Sequence, residues 1–315
     1  MDTLVLTADD VAELLGIDDC IAAVEEAFRA HGEGRVHAGL LSAHAERGAV
    51  HIKTAMYGRW FAAKVNANFP GNPATNGLPA IQGVIVLIDA TNGFPVAVLD
   101  SMELTTRRTA AATAVAAKYL ARSGTRTAML VGCGRQAVAQ LAALRSLFSF
   151  ERVTVFDLDA DRAKRFADVH EARVGAIEPA DVLITCTPSR RPFVSFQHLA
   201  PGTFVAAVGA DNPEKSEIEP ETMRACAVVA DVLEQCATIG DLRTAIAAGA
   251  MTRDDVRAEL GAIVAGLAPG RRSDEEIVIF DSTGAGFQDA AAAAIVYERA
   301  LAQGRGARVQ LGGKA

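Results

Sequence analysis

Apolar residues recur with two different periods along this sequence, and the change of period divides it. At the start they fall three and four apart. Ile21, Val24, Ala27 and Phe28 make one stripe of a helix expected over 19–31, with Asp18 as its cap. Thr7, with Asp10 three positions on, marks the start of a shorter helix through Leu15, since its hydroxyl satisfies an amide left open by the first turn. From residue 36 to 99 the period shortens towards two. Segments 50–56, 61–66, 83–88 and 94–99 read as strands separated by short Gly, Asn and Pro turns, which predicts an antiparallel sheet. Thr91-Asn92-Gly93 is a hairpin turn in that series.

After Ser101 an alanine-rich helix is expected to about residue 122, and then apolar runs alternate with helical segments. Strands are predicted at 127–131, 153–156, 182–186, 204–208, 228–230 and 277–280. Helices are predicted between them at 135–148, 160–170, 195–199, 220–225 and 239–265. Such alternation implies a parallel sheet with helices on both faces. A last helix over 288–301 is expected to return to the first domain, and the glycine-rich 304–315 reads as a mobile tail. The fold class is therefore α/β: a doubly wound Rossmann domain at 118–289, and an α+β domain with a mostly antiparallel sheet from 1–117 plus 290–315.

Composition narrows the function. The 315 residues suffice for two domains with a large buried core. With 31 basic against 38 acidic side chains the net charge is −7, which argues against a nucleic-acid partner. No apolar run approaches the roughly 18 residues of a membrane span. Met1-Asp2-Thr3 lacks the basic start of a secretory signal. The five cysteines are scattered without a Cys-x-x-Cys pair, which predicts a reduced, cytoplasmic protein without disulfides or zinc. The six histidines show no ligand spacing, so no metal site is expected.

One segment carries a specific chemistry. Strand 127–131 runs directly into Gly132-Cys133-Gly134-Arg135-Gln136-Ala137, a Gly-x-Gly-x-x-Ala turn that opens a helix. Gly132 allows the tight turn, Gly134 lets a pyrophosphate approach the backbone, and Ala137 permits close packing of helix on strand. The helix N-terminus adds amides and partial positive charge for phosphates. Asp157 ends the next strand, 20 residues past Ala137, the spacing of a carboxylate that takes the ribose hydroxyls. A carboxylate there repels a 2′-phosphate, so NAD is the expected cofactor, with NADP as the alternative through Arg162 one turn on. Cys133 reads as a space-filler and Asp159 as a helix cap.

Two further segments look out of place for a simple core. Lys64, Asn66 and Asn68 alternate along a strand and form a polar stripe. Arg107 and Arg108 sit near the expected start of an apolar helix, where cations are disfavoured, which points to an anion nearby.

Taken in order, Lys64-Val65-Asn66…Pro70…Asn72, Leu104-Thr105…Arg108-Thr109-Ala110-Ala111, Val131-Gly132…Gly134…Gln136, Ala207-Val208-Gly209-Ala210-Asp211…Pro213 and Phe280-Asp281-Ser282…Gly284 resemble the ornithine cyclodeaminase/µ-crystallin family. The resemblance implies an NAD(P)-dependent amino-acid dehydrogenase, a ketimine or cyclic-imine reductase, or an ornithine-type cyclodeaminase. It also implies a homodimer joined through the substrate-binding domain. Lys64 and Arg108 match the family's binders of the substrate α-carboxylate, a pairing that suits a bidentate guanidinium and a point-charge ammonium. Asp211 matches its catalytic acid/base, and Lys64 is placed with it in the catalytic group. The cofactor positions are matched by Arg108, Thr109, Gly132, Gly134, Arg135, Gln136, Asp157, Thr187, Ala207, Val208, Gly209, Ala210, Lys215 and Ser282.

Two positions depart from the pattern. By spacing, Leu40 falls where ornithine cyclodeaminases carry an arginine, and His51 where they carry a strand glutamate. A shift of a few residues would bring Arg35 or Arg47 to the arginine's place. His51 and Lys53 share a strand face and are candidate substrate contacts, Lys53 standing in for the lost arginine. Losing the glutamate removes a partner for a second amine. The expected substrate is thus a small amino or imino acid rather than ornithine. A crystallin-like binding protein without turnover is the further alternative.

Overall fold

The computed structural model describes residues 2–311 and contains two compact units, Met1–Arg108 with Ala285–Ala315, and Thr109–Gly284. The first unit opens with strand β1 (Thr3–Leu6), too short to show a period in the sequence, and helix α1 (Ala8–Leu14). Thr7 caps α1 and forms a capping box with Asp10, as expected. Helix α2 (Ile17–Gly32) starts from Gly16 rather than Asp18. Asp18 and Asp19 lie instead in its first turn, where their charge suits the helix dipole. Strands β2 (Val36–Ala45), β3 (Gly48–Tyr57) and β4 (Trp60–Asn68), the short helix α3 (Asn72–Thr75), and strands β5 (Ile81–Asp89) and β6 (Phe94–Asp100) follow. From β2 to β6 the pairing is antiparallel throughout, while β1 joins β6 in parallel. Strand β2 escapes sequence reading because its side chains are nearly all exposed, so no buried alternation marks it.

Helix α4 (Ser101–Leu120) carries the chain from the first unit to the second. It begins at Ser101, which corrects the argument from misplaced charge. Arg107 and Arg108 lie two turns inside the helix, not at its N-terminus.

The second unit runs β7 (Thr127–Val131), α5 (Arg135–Arg145), β8 (Arg152–Phe156), α6 (Ala160–His170), β9 (Arg173–Val174), β10 (Val182–Thr185), β11 (Phe204–Ala207), α7 (Pro220–Ala225), β12 (Ala227–Ala230), α8 (Leu233–Ile239), α9 (Asp241–Ala247), β13 (Ala258–Glu259), α10 (Leu260–Val264) and β14 (Val278–Asp281). The sheet order is β13-β12-β14-β11-β10-β7-β8-β9 and every pair is parallel. Strands β10, β11 and β14 are buried at every position, as a sheet covered on both faces requires. The strand order reverses between β7 and β10, the crevice where such sheets bind ligands. The single helix expected over 239–265 is several elements. Gly249, at φ +71°, follows α9, and Ala258–Glu259 joins the sheet edge before α10.

The chain then returns to the first unit as α11 (Gly286–Gln303) and β15 (Ala307–Val309). The tail expected to be mobile from 304 instead pairs antiparallel with β1, and its last four residues, 312–315, lie outside the described residues. Helix α11 packs on β3 and β4 and against α2. Across the sheet the register aligns Leu40, Lys53, Lys64, Ile85, Leu99 and Leu6 on one face. Leu41, Ile52, Val65 and Val84 align on the other.

Candidate active site

Burial in β4 alternates, with Trp60, Ala62 and Lys64 buried. Lys64 therefore belongs to the core face, in register with the buried Ile85, Leu99 and Leu6, while Asn66 and Asn68 of the expected polar stripe are half-buried. Only 4% of Lys64 is exposed. Its Nζ lies 2.8 Å from Oδ2 and 2.9 Å from Oδ1 of Asp289, on the first turn of α11, and 3.4 Å from Thr105 Oγ1. Arg108 reaches the same carboxylate, its Nε donating to Oδ1 at 2.8 Å, while its Nη1 donates to Gln288 Oε1 at 2.9 Å. Two cations from β4 and α4 thus share one carboxylate that is itself 1% exposed.

Burial, with Arg108 adding to it, pulls the Lys64 pKa down to about 7 against the opposing pull of Asp289. Burial also works against charge on Asp289, but Arg108 and Lys64 outweigh it and hold its carboxyl below the ordinary range. With Lys64 protonated the cluster keeps one positive charge in excess and suits one further anion.

Lys53 lies directly across from Lys64, and His51 one row on from it, across from Asn66. Like charges directly opposed in a sheet are unfavourable unless something else answers them. His51 Nδ1 is 2.8 Å from Ser42 Oγ, and Asn66 Oδ1 accepts from Ser101 Oγ at 2.7 Å. Leu40 pairs with Lys53, so no arginine enters at that point. Arg35 is engaged by Glu33 and Glu26, and Arg47 lies in the turn between β2 and β3. Arg107 turns away to pair with Glu103 at 2.6 Å.

In the second unit the glycine turn has the geometry of a phosphate cradle. Gly132 stands at φ +96°, and a Cβ there would lie 2.9 Å from the Cys186 carbonyl oxygen, so no larger residue fits. Gly134 caps α5 without a side chain, and around it a Cβ would meet nothing within 4 Å. The first-turn amides at Arg135 and Gln136 are thus approachable by an anion. Asp157 follows β8; its Oδ2 accepts the Cys133 amide at 2.8 Å and its Oδ1 the Asp159 amide at 2.9 Å, with Arg162 Nη1 3.6 Å away. Asp159 caps α6, as expected. Gln136 Oε1 accepts from Gln140 Nε2 at 3.4 Å, and Thr109 is buried on α4. These residues fit a dinucleotide.

Glu217, not anticipated from sequence, ties the neighbouring strand ends together. It accepts Thr185 Oγ1 at 2.6 Å, both the amide and hydroxyl of Thr187 at 2.7 Å, and the Gly209 amide at 2.8 Å. Burial, then the charge of Asp241, pushes its pKa up to about 7. Ala207, Val208, Gly209 and Ala210 are buried along the end of β11. Asp211 follows them, half-exposed, and accepts from Lys215 Nζ at 2.7 Å. Ser282 Oγ donates to Asp231 Oδ2 at 3.3 Å. Among the described residues no group of three or more His, Cys, Asp or Glu side chains could hold a metal ion.

The sequence pattern of the ornithine cyclodeaminase/mu-crystallin family matches residues 1–304. The chain belongs to this family. It is 39% identical to alanine dehydrogenase of Archaeoglobus fulgidus over 319 residues, spanning 98% of this chain and 99% of that protein. A solved archaeal alanine dehydrogenase dimer with bound NAD superposes with a TM-score of 0.96 at 38% identity, covering 98% of this chain and 99% of that one. The Thermococcus litoralis Δ1-pyrroline-2-carboxylate reductase, solved with NADH and L-proline, gives 0.92 at 30% identity, covering 98% and 100%.

Asp289 was the chief omission of the sequence reading. A lone carboxylate between Phe287 and Ala290–Ala294 was a usable signal, because an acid in so apolar a stretch needs a buried partner. Glu217 left no comparable sign.

Proposed function

We propose that this member of the family reduces a small α-imino acid to the amino acid, and runs the reverse oxidation, as a cytoplasmic homodimer. The chain is an NAD(P)-dependent oxidoreductase acting on the C–N bond of an α-amino acid or its imine. In the reading favoured here Lys64 and Arg108 take the substrate carboxylate, which fixes the α-carbon. Asp211, beyond the C-terminal end of a Rossmann strand and paired with Lys215, gives the proton to the nitrogen and receives it in the reverse direction. The glycine turn and Asp157 would hold the dinucleotide, which as NADH would supply the hydride to the α-carbon of the imine and as NAD+ would accept it back from the amino acid.

The observation that carries the choice of substrate is the row beside Lys64. Lys53 and His51 flank it where a cyclodeaminase needs a carboxylate for the second amine. Lys53, whose charge acts against the Lys64 ammonium, would act in the same way against the side-chain ammonium of ornithine. The partner copy is inferred from the opposite face of the same sheet, where Leu41 is 64% exposed and Val84 43%. The archaeal alanine dehydrogenase is a dimer.

The test is NADH oxidation by purified protein with pyruvate plus ammonia, with methylamine, and with cyclic imino acids. Consumption with one of these and no proline from ornithine is expected. Asp211→Asn should lower kcat about a hundredfold while NADH binding persists. Proline and ammonia from ornithine at constant NADH would make the protein a lyase instead. Cofactor binding with no turnover on any substrate would make it a ligand-binding protein.

A further inference from the structure

We propose that Asp289 is the positioning residue of the carboxylate clamp: it holds the Lys64 ammonium and the Arg108 guanidinium around one buried carboxylate, so that both meet the substrate as a preformed receptor. The proposal rests on the reading of Lys64 and Arg108 as substrate binders.

Three elements distant in sequence converge here. Lys64 comes from β4, Arg108 from α4 and Asp289 from α11, and the Asp289 carboxylate is the group that pairs with both cations. Left without it, two buried cations would repel each other, with Lys53 adding to the repulsion. Gln288, the preceding residue, takes the other edge of the guanidinium, so Arg108 is held at both Nε and Nη1. A guanidinium fixed at two of its nitrogens has little rotamer freedom left to lose when a ligand arrives.

Asp289 can position others because it is itself fixed. Helix α11 starts so close to β3 that a Cβ on Gly286 would lie 2.5 Å from the Thr54 carbonyl oxygen. Phe287 is fully buried, edge-on to Phe28 at 5.3 Å and stacked on His31 at 4.8 Å. The alanines from 290 to 294 keep the next turns flush with their neighbours. Asp289 also occupies the first turn of an 18-residue helix, where the backbone dipole favours its negative charge.

A purely structural ion triad and a positioning triad predict different kinetics. If Asp289 only stabilises the fold, its loss lowers the amount of active enzyme without altering which protonation state binds substrate. If it positions the clamp, its loss both misplaces the cations and removes the charge that keeps Lys64 protonated. The carboxylate of the substrate must then bind a cluster that has lost its proton at lower pH.

The experiment is steady-state kinetics of Asp289→Asn and Asp289→Glu with saturating NADH, between about pH 5 and pH 9. For Asp289→Asn, KM for the imino acid should rise about tenfold or more while kcat changes far less. The basic limb of kcat/KM should move about one pH unit or more to the acid side. NADH affinity should stay within about twofold of wild type. Asp289→Glu keeps the charge, so its basic limb should stay in place while KM rises through the longer side chain. An unmoved limb in Asp289→Asn, with wild-type KM, overturns the proposal. Should Asp289→Asn not fold, Asp289→Glu decides: a raised KM with the limb in place supports the proposal, and a wild-type KM overturns it. Lys64→Met separates the two levels of inference. If its KM is unchanged, the clamp reading itself fails. If its KM rises while the Asp289 variants match wild type, only the positioning role fails.

Discussion

At Asp157 one carboxylate meets two demands. Its Oδ2 holds the Cys133 amide of the glycine turn, and Arg162 stands 3.6 Å from the same oxygen. Replacing it by serine removes the charge that repels a 2′-phosphate and releases Arg162 to meet one. The kcat/KM ratio of NADPH to NADH is expected to rise about tenfold or more, equivalent to about 1.4 kcal/mol, while NADH binding weakens as the turn loosens. Steady-state rates with both cofactors check this, and an unchanged ratio would remove Asp157 from cofactor choice. The position of Asp157 was legible because a strand, a glycine turn and a fixed spacing are all local properties. Asp289 was not legible in the same way. Its partners lie 225 and 181 residues away along the chain, and no local rule pairs them.

Among the elements, β10 and β11 show how one buried group can tie two strand ends together. Glu217 bonds to Thr185, Thr187 and Gly209 at the ends of both strands. In the fold its carboxyl is raised from the ordinary 4.5 to about 7. The folded state therefore binds this proton more tightly than the unfolded chain does. Its contribution to stability is complete below about pH 4.5 and is lost as pH rises through about 7. Urea unfolding from about pH 5 to pH 8 should show the wild type losing stability, and Glu217→Gln losing less of it. The variant should start lower by about 1–3 kcal/mol, since an amide cannot accept all of these donors. Equal slopes for the two proteins would exclude Glu217 as the titrating group. Element identity was read best where the period was strong, as in β4, β7 and α2. It was misread over 239–265, where a positive-φ glycine and a two-residue edge strand break an apparently helical stretch.

At the scale of the molecule, the first unit leaves one sheet face apolar. Leu41, Ile52, Val65 and Val84 run across it in register, and Val86, Val98 and Val5 form a second row. If a second copy covers this face, Val84→Glu should yield a monomer by sedimentation or light scattering, because a charge cannot be buried there unpaired. A dimer of unchanged affinity would place the contact elsewhere. The sequence by itself determined the classes of element, the parallel sheet, the dinucleotide turn and the family, because each rests on periodicity or on short ordered motifs. Only the tertiary structure decided that Lys64 faces the core and that it and Arg108 both bind Asp289. Those outcomes depend on strand register and on the return of the last helix, and a contact between residues far apart in the chain leaves no periodic trace.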